Sequence, residues 1–166
     1  MNENYIMFNG KRVDLTDEQI EKLGLKVEKK NPFKKVKSGN ILYKIATDGT
    51  VINNMGAPHL STDDACYNVA NYCTDKSLLQ QRAYHETLPR LLWRFSMQND
   101  GDKIDWSDKE HCKCSIYYDH YRKLFNISCL FNDQSNEIYF YSKEIAQKAI
   151  TEIVLPFMKE HPDFVW

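Results

Sequence analysis

The sequence has no excess of charge of either sign. Its 166 residues carry 22 Lys and Arg against 23 Asp and Glu, a net charge of -1. That balance speaks against a histone-like coat on DNA and equally against an acidic imitation of nucleic acid. No apolar run approaches the about 18–20 residues a membrane span needs. The opening residues, Met1-Asn2-Glu3-Asn4-Tyr5, lack the basic-then-apolar pattern of an export signal. The 5 cysteines are an odd count and include no Cys-x-x-Cys pair; reduced cytoplasmic thiols are the expectation. Also missing are a Gly-rich phosphate loop, a strand-to-helix nucleophile elbow, internal repeats and any low-complexity tract. With no recognisable catalytic constellation, a protein without enzymatic activity is expected.

What is present fills a core: 42% of residues are hydrophobic and 27% charged. Tyr5-Ile6-Met7-Phe8 and Arg12-Val13-Asp14-Leu15 flank Asn9-Gly10, the strongest short hairpin signal. Thr16 and Gln19 have capping-box spacing and open a short helix over residues 17–23, which Gly24 stops. Residues 25–40 have no period of either kind and read as a basic linker, extended by its lysines and by Pro32. Strands follow at 41–45 and 50–52 around Asp48-Gly49, then a loop over 53–64 and a short strand at 67–72. A long helix is expected over 75–98, with Thr74 as a cap, Asp75 complementing the dipole, and Tyr84, Leu88, Leu91, Leu92 and Phe95 on one face. Leu79 lies off that stripe, and Pro89 should kink the helix near 86–88. Three strands at 113–118, 124–131 and 137–141 have the short loops of an antiparallel meander. A last helix over 142–160, bent late by Pro156, leaves 163–166 as a tail.

The fold class expected from this order is α+β: an antiparallel sheet, including a three-stranded C-terminal meander, with two long helices packed on one face. An N-terminal hairpin-helix appendage (1–24) and the basic linker (25–40) precede a core domain over 41–166.

Three groups of residues could carry chemistry. Cys112 and Cys114 share one face of a strand, Cys129 on the next strand could meet them, and His120 lies in the turn between. Zinc selects such ligands, but its structural sites usually use close Cys pairs, so the thiols read as small apolar side chains filling gaps, with no metal and no cofactor expected. His85-Glu86 begins like a zinc-protease helix, but Pro89 stands where the second His belongs. Asp100 to Asp105 has the wrong order for an EF-hand. The second group is Phe33 among Lys29, Lys30, Lys34, Lys35 and Lys37, which could stack on a base while the lysines hold phosphates, or could be a solvated linker anchored by Phe33. The third is Tyr117, Tyr118 and Tyr121 beside Arg122, residue types enriched at protein interfaces and equally suited to cross-strand packing.

Asn31-Pro32-Phe33, Tyr43-Lys44-Ile45 with Asp48-Gly49, Asn71-Tyr72-Cys73-Thr74, Asp105-Trp106, Ile116-Tyr117-Tyr118-Asp119 and the run from Ile138 to Ala146 together resemble a group of small proteins encoded by phages and prophages of Firmicutes. Some members of that group resemble anti-CRISPR proteins. The resemblance runs from about Asn31 onward, with Cys73 where the group would carry an aromatic. It implies a phage-encoded protein in the cytoplasm of an infected or lysogenic host. Such a protein binds and sterically blocks a bacterial immune nuclease, with the type II CRISPR effector and its guide RNA as the leading target. No catalytic residue carries over. Self-association is compatible with this reading, a membrane partner is not, and the alternative is a nucleic-acid-binding module built on residues 26–37.

Overall fold

The computed structural model describes residues 5–24, 31–36, 39–55, 61–132 and 134–166. The chain divides into two compact units, Met1–Pro32 and Phe33–Trp166. In the first, β1 (Tyr5–Phe8) pairs antiparallel with β2 (Lys11–Asp14). Asn9 and Gly10 take φ values of 50° and 75°, the two left-handed positions a type I′ turn requires. Helix α1 (Asp17–Lys22) carries the expected capping box in full: Thr16 Oγ1 accepts from the Gln19 amide, and Gln19 Oε1 accepts from the Thr16 amide.

The second unit begins its regular structure with β3 (Ile41–Ile45) antiparallel to β4 (Val51–Met55). The strand expected at 67–72 is instead the end of helix α2 (Ser61–Asn68) and its exit turn. Asp63 and Asp64 in the first turn of α2 favour the helix dipole, and among the described residues nothing pairs with this segment as a strand until Cys73. The extended part comes just later. Asn71 accepts the Ile45 amide at 2.6 Å and donates to the Ile45 carbonyl at 2.8 Å, and Tyr43 and Cys73 exchange both backbone hydrogen bonds. Residues 71–73 thus act as a second partner to β3, beside β4, with one amide side chain standing in for backbone. Asn71→Ala strands both Ile45 groups and is expected to cost about 1–3 kcal/mol in denaturant unfolding.

Helix α3 (Lys76–Gln98) runs unbroken through Pro89. Its N-cap is Asp75 rather than Thr74: the Asp75 carboxylate accepts from the amides of Ser77 and Leu78. Bonding to the Ser77 hydroxyl, then to these amides, holds that carboxyl below its ordinary range. The buried face also differs from the stripe read in the sequence. Leu79 is buried and Leu78 exposed, because the first turns of α3 pack Leu79 and Ala83 on Ile45 and Cys73. The later turns bury Leu88, Leu92 and Phe95 in a second, larger core. One helix serving two cores cannot show a single stripe along its length.

That larger core lies between α3, the C-terminal helices and one face of a three-stranded sheet. The strands are β5 (Lys113–Asp119), β6 (Leu124–Leu130) and β7 (Tyr139–Phe140). Their order is β6-β5-β7, so the last strand returns to the free edge of β5 instead of continuing a meander. Beside β5, Phe140 enters the core with Leu92 and Phe95, and the Tyr139 carbonyl accepts from the buried Ser96 hydroxyl at 2.6 Å. β5 and β7 pair through Cys114↔Phe140 and Ser115↔Tyr139. Cys114, Ile116, Phe125, Ile127 and Cys129 point into the core, as strand alternation requires.

The final helix comes in three parts: α4 (Lys143–Ala149), a π-helical stretch (Ile150–Val154) and α5 (Leu155–Glu160). The wider π turn immediately precedes Pro156, whose ring would crowd the carbonyl four residues earlier in a regular helix. The tail is pinned, not loose. Gln81 donates to the Asp163 carbonyl at 2.6 Å and accepts from the Val165 amide at 3.0 Å, which seats Phe164 in the core. No helix among the described residues is long and apolar enough to cross a membrane.

Candidate functional site

The β5–β6 hairpin sorts the aromatic cluster by strand alternation. Tyr117 points to solvent, 48% exposed, on the face it shares with Leu124, Asn126 and Asp119. Tyr118 points the other way and packs its ring on Phe125 at 4.9 Å and against His120 at 5.0 Å. Tyr118 therefore serves the hairpin's packing, and of the three tyrosines only Tyr117 and Tyr121 form surface. Tyr121 sits in the connecting turn and is 95% exposed. Arg122 is exposed beside it, 3.8 Å from Asp119.

The turn is built by Asp119, which ends the Ile116-Tyr117-Tyr118-Asp119 run and stands outside the three candidate groups read in the sequence. Asp119 Oδ1 accepts from the amides of Tyr121 and Arg122 at 3.0 and 2.9 Å, and Lys123 closes the turn at a φ of 55°. An Asp followed by two polar positions between strand-like runs is an Asx-turn signal, and it could have been found there. A left-handed Lys is disfavoured relative to Gly, so Lys123→Gly is expected to stabilise the unit by about 0.5–1 kcal/mol in thermal melts.

The lysine segment is less open than its composition suggests. Lys29, Lys30 and Lys37 lie outside the described residues. Phe33 and Lys34 are exposed. The Lys35 ammonium lies 2.5 Å from the Asp64 carboxylate and 4.7 Å above the Tyr67 ring. The bond to Asp64 raises its pKa. The Val36 amide donates to the Tyr72 hydroxyl at 2.7 Å, so Tyr67, Tyr72 and Asp64 hold this stretch against the second unit's own surface. The Lys35 charge is matched within the chain and is not held out for phosphates.

The acidic loop is likewise occupied with its own turns. Asp105 and Asp108 accept backbone amides two and three residues on, and Asp100 pairs with Lys103 at 2.8 Å. In α3, Glu86 pairs with Arg82 at 2.7 Å and lies 3.6 Å from Arg90. A groove of about 350 Å³ beside α3 is lined by Leu88, Pro89, Ile116 and Trp166, with His85 and Glu137 as its titratable groups.

The cysteines of the sheet do converge. Cys114 and Cys129 are register partners with sulfurs 3.6 Å apart, and the Cys112 sulfur is 3.9 Å from that of Cys114. Burial raises the pKa of the Cys112 thiol and pushes that of the Cys114 thiol far above its ordinary value. His120 is directed to Tyr118 instead. His111 stacks on Tyr141 at 4.1 Å and keeps its buried Nε2 without a hydrogen-bond partner. Beside them Lys113 is fully buried; its ammonium donates to the carbonyls of Asp108 and Phe131 and lies 5.6 Å from the Trp106 ring.

No family model, no curated protein and no solved structure matches this chain.

Proposed function

We propose that the protein acts by covering a surface on another macromolecule, as a phage-encoded inhibitor of a bacterial immune nuclease, with the type II CRISPR effector as its target. The observation that carries the reading is the outer end of the β5–β6 hairpin. Tyr117 on β5, Tyr121 in the connecting turn and Leu124 on β6 are exposed there, and two Asp119 hydrogen bonds hold the turn. Exposed Tyr beside Arg on a rigid support is the composition of an interface anchor, because large rings are ordered at little further entropic cost. The near-zero net charge favours direct protein contact over imitation of DNA. The target itself rests on the sequence resemblance from Asn31 onward.

A steric blocker needs a stable complex and no turnover. Purified effector, with and without guide RNA, is expected to retain this protein on an affinity resin at near-stoichiometric amounts and to lose target cleavage in proportion. Recovery of none in either state rejects the target. A gel shift with free nucleic acid that weakens steeply with salt would support the alternative built on the lysine segment.

A further inference from the structure

We propose that Cys112, Cys114 and Cys129 form a binding site for one soft d10 metal ion of the zinc class, held by three thiolates on the sheet. The three sulfurs all lie within 4.8 Å of one another. A tetrahedral ion with metal–sulfur bonds near 2.3 Å needs sulfurs about 3.8 Å apart along each edge. The observed separations of 3.9 Å and 3.6 Å bracket that value on two edges, and the third edge, Cys112 to Cys129, is within 4.8 Å, so the thiols stand close to one face of such a tetrahedron.

The fold fixes this spacing from two strands. Cys114 and Cys129 are directly opposite across β5 and β6, and Cys112 precedes β5 by one residue, on the same side as Cys114 by strand alternation. The arrangement is therefore a property of the register and not of a flexible loop. Among the described residues no imidazole or carboxylate joins the group. An all-sulfur donor set discriminates against magnesium and calcium and selects zinc, cadmium or monovalent copper.

Access and surroundings also fit. Cys114 is buried, whereas Cys112 and Cys129 are half-buried, which leaves a route from solvent. Core side chains back the group on the protein side, where low polarity strengthens the bond between ion and thiolate. A divalent ion with three thiolates carries one net negative charge, and the Lys143 ammonium acts on Cys112 with the opposite sign. Binding breaks three S–H bonds, forms three metal–sulfur bonds and releases three protons to the buffer, with no change of oxidation state.

The site is tested on the full-length protein, reduced and kept free of oxygen, by titration with cadmium chloride. Thiolate-to-cadmium absorption in the ultraviolet should rise to a plateau at one ion per chain, and excess zinc should remove it. Cys112→Ser and Cys129→Ser, chosen because both positions are half-buried, should each weaken cadmium binding roughly tenfold or more, with the far-ultraviolet circular dichroism unchanged. Cys66→Ser, in α2 and outside the group, should titrate like the unchanged protein. Absence of the absorption band, or a band that survives in both sheet variants, overturns the proposal. The readout is independent of nuclease inhibition, so the two conclusions stand or fall separately.

Discussion

Gly101→Ala is expected to destabilise the second unit by about 2–4 kcal/mol, a drop in melting temperature on the order of 10 °C. Gly101 follows α3 in a short 3₁₀ turn (Gly101–Lys103) and is buried. A methyl group there would stand 2.6 Å from the Ser96 carbonyl oxygen and closer still to the Ser96 hydroxyl. Ser96 cannot simply yield. It is fully buried, and its hydroxyl donates at 2.6 Å to the Tyr139 carbonyl, which ties the end of α3 to β7. The substitution must therefore move the helix end or break a buried hydrogen bond, and either route loosens the attachment of β7. Gly101→Ser should be at least as costly, since it adds volume at the same point. A melting temperature unchanged by Gly101→Ala would mean that the α3 terminus is soft.

The second large effect is expected at Lys113. This side chain is fully buried. Its charge is met by carbonyls from both directions, Asp108 in the loop before β5 and Phe131 just beyond β6, and by the face of Trp106. A buried ammonium without partners would be prohibitive, so the carbonyls are what allow it. Lys113→Ala removes the stem that fills the space and leaves two acceptors without a donor. It should cost about 3 kcal/mol or more. Lys113→Met keeps most of the volume and removes only the donor. It should still cost about 1–3 kcal/mol, because the carbonyls stay desolvated. Equal stability of Lys113→Met and the unchanged protein in urea would show that packing alone matters at this position.

Much of the local structure was legible because it depends on neighbours in sequence. Asn9-Gly10 sets its hairpin, Thr16 and Gln19 set the start of α1, and the three C-terminal strands lie within a few residues of their expected limits. The differences arise where distant residues decide. Residues 67–72 have strand-like composition, but α2 and the pairing of Cys73 with Tyr43 divide the segment between helix and bridge. Short loops suggested a meander, but the burial of Phe140 beneath α3 places β7 on the other side of β5. Leu79 read as off the helical stripe because a second small core around Ile45 lies on another side of α3.

The candidate surface was legible in type but not in orientation. Strand alternation separates Tyr117 from Tyr118 only once the inward face is known, and the core-facing Cys114 and Ile116 settle it. The sulfur cluster follows from the same register. In sequence, Cys112 and Cys114 were visible as neighbours on one face. The approach of Cys129 required β5 and β6 to pair with Cys114 directly opposite it. In β1, an apolar run that reads in sequence as a hairpin strand, Ile6, Met7 and Phe8 are exposed. The signal was there: four consecutive apolar residues in a two-stranded ribbon cannot all turn to one covered face.

Affinity of the surface variant for the guide-loaded effector tests the mode of action most directly. Tyr117→Ala with Tyr121→Ala should weaken the complex by about 2 kcal/mol or more, roughly thirtyfold, while the melting temperature stays where it was. Binding of the double variant as tight as that of the unchanged chain would contradict the assignment of this hairpin as the contact.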